Sequence, residues 1–88
     1  MIEDQFRQEL RERSYGDAEI MEFEPNREKE MHSHDESVMA LVISGEFTLV
    51  LESGSTTYGP GEWCENPAGT LHTERIGPDG VTALVALK

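Results

Sequence analysis

From Ser14 onward a turn signal recurs roughly every 8–12 residues, and this punctuation constrains the fold more than any other feature of the chain. Ser14-Tyr15-Gly16-Asp17, Pro25-Asn26, Ser44-Gly45, Ser53-Gly54-Ser55, Gly59-Pro60-Gly61, Asn66-Pro67-Ala68-Gly69 and Gly77-Pro78-Asp79-Gly80 leave only short segments between them. Those segments read as strands. Residues 18–24 alternate, with Met21 and Phe23 on one face and Glu22 and Glu24 on the other. Met39 to Ile43 is a continuous apolar run, and Phe47 to Leu51 is rich in β-branched and aromatic residues. With Ser44-Gly45 between them, residues 38–52 read as a hairpin. Thr56 to Tyr58, Glu62 to Glu65, Leu71 to Ile76 and Val81 to Leu87 complete a set of about seven strands. Helices do not alternate with them, so the pattern is that of an all-β sandwich or barrel.

Residues 1–14 differ. Ile2, Phe6 and Leu10 recur every four residues among charged neighbours, the spacing of a short amphipathic helix. A helix of this length does not stand alone, so its apolar stripe is expected to dock on its own domain or on a second copy. The expected organisation is one domain over residues 1–88, with a helix at 1–14 and the β-structure at 18–88. A chain of 88 residues buries only roughly 60–65% of its unfolded surface. Closing the sheet or pairing two copies removes exposed edges, so a homodimer is expected.

Seven Lys and Arg against eighteen Asp and Glu give a net charge of −11, which repels phosphate backbones and anionic lipid surfaces. Neither nucleic acid nor membrane is an expected partner. No run approaches the roughly 18 apolar residues of a membrane span. The opening Met-Ile-Glu-Asp-Gln has no basic or apolar export signal, and the single Cys64 allows no internal disulfide. The cytoplasm is the expected compartment. The mixed run Arg27-Glu28-Lys29-Glu30 reads as a solvated loop or edge segment.

Chemistry concentrates on three histidines. His32 and His34 lie two apart, and in an extended segment such residues share a face. His72 follows the turn Pro67-Ala68-Gly69-Thr70 at the start of another strand. If the two strand starts face each other, three imidazoles converge, and neutral imidazole is the commonest protein ligand of transition metals.

Together these residues resemble the cupins, small jelly-roll barrels with a metal in the mouth. The first cupin motif runs Gly, five residues, His-x-His, three or four residues, Glu, six residues, Gly; His32, His34 and Gly45 match it. The second runs Gly, five residues, Pro-x-Gly, two residues, His, three residues, Asn; Gly61, Pro67, Gly69 and His72 match it. Fifteen residues separate the motifs, and the resemblance covers roughly residues 20–88. It implies a cupin jelly-roll β-barrel preceded by a short helix, holding a divalent Fe, Mn, Ni or Zn ion on His32, His34 and His72.

Three positions depart from the pattern. Asn26 replaces the first Gly and Ile76 replaces the last Asn. More consequentially, the position of the cupin Glu ligand holds Val38, which cannot coordinate a metal. Glu36 has the same strand parity and is the alternative carboxylate. Without a carboxylate, three neutral imidazoles leave a divalent ion its full +2 charge and up to three open positions. Such an ion favours small chelating anions, and some cupins carry out dioxygenation of thiols or diketones on three histidines.

Other residues have simpler expected roles. No basic residue near Cys64 in sequence lowers its pKa, so it reads as a small buried hydrophobe. Trp63 and Tyr58 could line the pocket, with core or rim packing as the default. Glu65 and Glu74 are candidate general bases near the mouth, and solvated strand faces explain them equally. Met31 and Met39 read as barrel filling. The functional expectation is a metal-dependent enzyme, dioxygenase-like or a lyase/isomerase, acting on a small anionic compound. The alternative is a non-catalytic module that senses or stores a small ligand or metal.

Overall fold

Two long antiparallel strands carry the architecture. In the computed structural model, which describes residues 1–25 and 30–88, helix α1 (Glu3–Glu12) precedes strands β1 (Glu19–Phe23), β2 (Val38–Leu51), β3 (Gly54–Tyr58), β4 (Trp63–Asn66) and β5 (His72–Leu87). Strand β2 pairs with β5 along its whole length, from Val38 opposite Leu87 to Leu51 opposite His72. The first half of β2 also pairs with β4, and the second half with β3. Strand β1 pairs with the last part of β5. The result is an antiparallel cupin-type jelly roll with one short N-terminal helix. The charged run at 27–30 and the Asn26 position lie outside the described residues except for Glu30.

The hairpin expected over residues 38–52 does not form. At Ser44-Gly45 the chain bends and continues as one strand. Ile43 is an extra residue between paired positions, and Glu46 alone faces residues 77–80 of β5. Gly45 takes φ 81° there, and a Cβ on it would lie 1.9 Å from the carbonyl oxygen of Gly80. Only a residue without a Cβ lets the two backbones approach so closely. The turn signal was therefore real in its backbone requirement, but it serves a bulge that bends both long strands. Each long strand does the work of two expected short ones, which keeps the expected strand inventory and changes its connectivity.

Alternation along β2 divides the core into two layers. Ala40 and Val42 face inward with Phe47, Leu49, Cys64, Ile76 and Val81. Met39 and Leu41 face outward with Leu84 and Ala86, where Phe6 and Leu10 of α1 cover them. The helix stripe thus docks within the chain, although Ile2 stays exposed. The helix ends in a Schellman arrangement: Tyr15 N–H donates to Leu10 O (2.8 Å) and Ser14 N–H to Arg11 O (3.2 Å), with Ser14 at φ 64°. Tyr15 and Leu10 then meet in the outer layer, the apolar contact that usually accompanies this ending. Met39 is fully buried in that layer, whereas Met31 is 40% exposed and fills no part of the barrel.

Candidate metal centre

His32 and His72 sit opposite each other in an antiparallel bridge, each backbone N–H donating to the other's carbonyl at 2.8 Å. Side chains opposite each other in such a bridge project to the same face. His34, two residues on, joins them. The ring centroids lie 4.6–5.1 Å apart, and the candidate donor atoms of all three residues lie within 4.8 Å of one another. His72 is 2% exposed, His32 is half-buried and His34 is exposed at the mouth.

Hydrogen bonds fix which nitrogen of two of the rings faces the cluster. His32 Nδ1 lies 2.8 Å from the carbonyl of Glu30, and His72 Nδ1 lies 2.8 Å from the carbonyl of Thr70. A carbonyl oxygen only accepts, so each Nδ1 carries the proton and donates. Nε2 of each ring is left with a free lone pair, the arrangement in which imidazole binds a metal. Asn66 Nδ2 lies 3.0 Å from His72 Nδ1; beside the Nδ1 proton that the Thr70 carbonyl calls for, the amide turned over presents its oxygen instead. Asn66 is itself buried, and the sequence reading took it only as the first residue of the turn at 66–69. Its alternation with Cys64 on β4 was the available signal for an inward side chain.

The turn before His72 explains the Pro-x-Gly spacing. Gly69, at φ 80°, donates its N–H to His34 O at 2.8 Å, and Ala68 N–H donates to Ser37 Oγ at 3.0 Å. The loop that delivers His72 is thus tied to the segment that carries His34. Behind the histidines lies a cavity of about 120 Å³. Val38, Ala40, Phe47, Leu49, Val81 and Val85 make most of its wall apolar, and His34, Asn66, His72 and Glu74 gather the polar groups.

A cupin-domain family model matches residues 19–86, more than three quarters of the chain. The chain is a cupin. Solved cupin-like structures superpose on it. The EutQ protein of Clostridium difficile has a TM-score of 0.71 at 17% identity, over 89% of this chain and 60% of that one. A DMSP lyase, DddQ of Ruegeria pomeroyi, has a TM-score of 0.70 at 22% identity, over 81% of this chain and 36% of that one. Bacillus subtilis oxalate decarboxylase, a protein with Mn(II) centres, has a TM-score of 0.63 at 27% identity, over 78% of this chain and 20% of that one. This cupin therefore spans from a fifth to three fifths of the length of these three chains. No curated protein sequence matches it.

Against the cupin pattern, Val38 lines the cavity, as the register of the first motif requires, and offers no donor atom. Glu36 is exposed, and the group of candidate donors consists of the three histidines without it. Glu65 is not at the mouth. It points outward from β4, accepting from the Tyr15 hydroxyl and from Arg13 Nη1, both at 2.7 Å. The Tyr15 bond and the Arg13 charge hold its carboxyl below the usual range, with burial opposing them. Trp63 packs against the outer layer beside Arg13, and Tyr58 stacks on Phe47 at 5.3 Å. Cys64 lines the cavity as a buried thiol whose pKa burial, and then the Glu74 charge, push up to about 11.

Proposed function

We propose that this cupin binds a divalent metal on His32, His34 and His72 and acts as a metal-dependent enzyme on a small anionic compound. The observation that carries the reading is the convergence of three imidazoles, two of them with Nδ1 held by a backbone carbonyl, beside a mostly apolar cavity that His34 and His72 line. A divalent ion held there would supply a Lewis acid with open positions for a chelating ligand. The chain's own residues would do the rest: Thr70 and Glu30 carbonyls hold the ring tautomers, and the apolar wall keeps water from the ligand's body. A cavity near 120 Å³ is comparable with the roughly 150 Å³ that accommodates a benzene-sized guest. The substrate class is therefore a small molecule with an anionic chelating head, such as a β-diketonate or an α-hydroxy or α-keto acid. The reaction class is dioxygenation or lyase/isomerase chemistry. The DMSP lyase and the Mn(II)-containing oxalate decarboxylase among similar structures support this range.

Titration calorimetry with Fe(II), Mn(II) or Zn(II) tests the assignment. We expect stoichiometric binding that His34→Ala or His72→Ala abolishes while the barrel stays folded; unchanged affinity in both variants would sink it. Small bidentate anions should then bind the loaded protein and not the metal-free one. Equal binding to both would favour a non-catalytic sensing module. We also propose that the protein is a homodimer. Strand β1 pairs on one side only among the described residues, and Ile20 on it is 67% exposed.

A further inference from the structure

Among the described residues, Glu74 is the one carboxylate that lines the cavity. It follows His72 by two positions on β5, so both side chains face inward. Its Oε1 lies 3.3 Å from His72 Nε2. That nitrogen carries the lone pair, because Nδ1 gives its proton to the Thr70 carbonyl. A lone pair and a carboxylate oxygen at this separation repel unless a positive centre, a proton or a metal ion, lies between them. Two donors each about 2.0–2.1 Å from one ion, at tetrahedral or octahedral angles, stand roughly 2.9–3.4 Å apart. The observed spacing from His72 falls in that range; the donors within 4.8 Å of one another are those of the three histidines, so Glu74, which is partly exposed, reaches a shared ion by turning its side chain toward them.

Resting on the three-histidine reading, we propose that Glu74 is a carboxylate ligand of the same ion. It takes the part that Val38 cannot, from the opposite motif of the barrel. Three imidazoles and one carboxylate leave a divalent ion a net +1 charge, where three imidazoles alone leave +2. The ion is then held more tightly and is a weaker Lewis acid. Fewer positions stay open to the substrate, which favours a bidentate ligand over a tridentate one.

Calorimetry with Mn(II) and visible absorption with Co(II), on the full chain, separate the cases. Glu74→Gln should weaken Mn(II) binding at least about tenfold and shift the Co(II) bands. Metal-free thermal denaturation checks that the variant is folded. In that background Val38→Glu should restore most of the lost affinity. Equal Mn(II) affinity in wild type and Glu74→Gln, with binding lost in His72→Ala, would overturn this proposal and leave the histidine site standing. Weaker binding with an unchanged Co(II) spectrum would also overturn it, since the carboxylate would then act from outside the coordination sphere. Absence of binding by the wild type would end both readings together.

Discussion

Cys64 shows how position on a strand decides the chemistry of a side chain. A thiol is nucleophilic as thiolate, and burial against Ala40 and Phe47 disfavours the charged form. The neighbouring Glu74 charge adds to that effect, and the pKa rises to about 11. We expect iodoacetamide at neutral pH to label Cys64 about 100-fold or more slowly than it labels the urea-unfolded chain. A rate close to that of the unfolded chain would place the thiol on the surface. Glu65 and Glu74, alike in sequence terms, part company in the same way. One faces the helix and the other faces the histidines, because they lie on opposite faces of their strands.

At the scale of elements, the bulge and the helix dock are separate devices with separate tests. Gly45 combines a positive φ with a Cβ position only 1.9 Å from Gly80 O. Gly45→Ala should therefore cost about 3 kcal/mol or more, read as a lower urea midpoint, because neither backbone can yield without unpairing β2 from β5. A loss under 1 kcal/mol would show that the bend is soft. The helix is fastened at its end by Arg13, which bridges Glu9 (3.0 Å) and Glu65 (2.7 Å), and by the Tyr15–Glu65 bond. The Glu65 carboxyl is depressed in the folded state by Tyr15 and then Arg13. Its contribution is present above the ordinary carboxylate pKa and is lost as pH falls through the lower folded value. Stability of the wild type should fall more steeply below about pH 4.5 than that of Glu65→Gln. Parallel curves from pH 6 to 3 would remove Glu65 from the dock.

For the whole molecule, a chain this short gains most from covering its edges. Helix α1 already covers the outer face of β2 and β5, so it is not the surface that a second copy needs. Among the described residues β1 pairs on one side only, and its other edge, with the exposed Ile20, is the surface we propose for the second copy. Light scattering at micromolar concentration should give twice the chain mass, and Ile20→Glu should return it to the monomer. A wild-type monomer would rule the dimer out.

The sequence alone determined the all-β class, the N-terminal helix and the three histidines, because alternation, turn residues and motif spacing are local signals. It also determined that Val38 carries no donor where cupins place Glu. Tertiary structure decided what local signals do not encode. Ser44-Gly45 bends the chain without reversing it, since the geometry depends on Gly80, thirty-five residues away. Nε2 rather than Nδ1 of His32 and His72 faces the cluster because backbone carbonyls of Glu30 and Thr70 come within 2.8 Å of the Nδ1 atoms. Asn66 and Glu74 line the cavity because the fold brings five segments around it, and a face is assigned to each side chain only when the register is set.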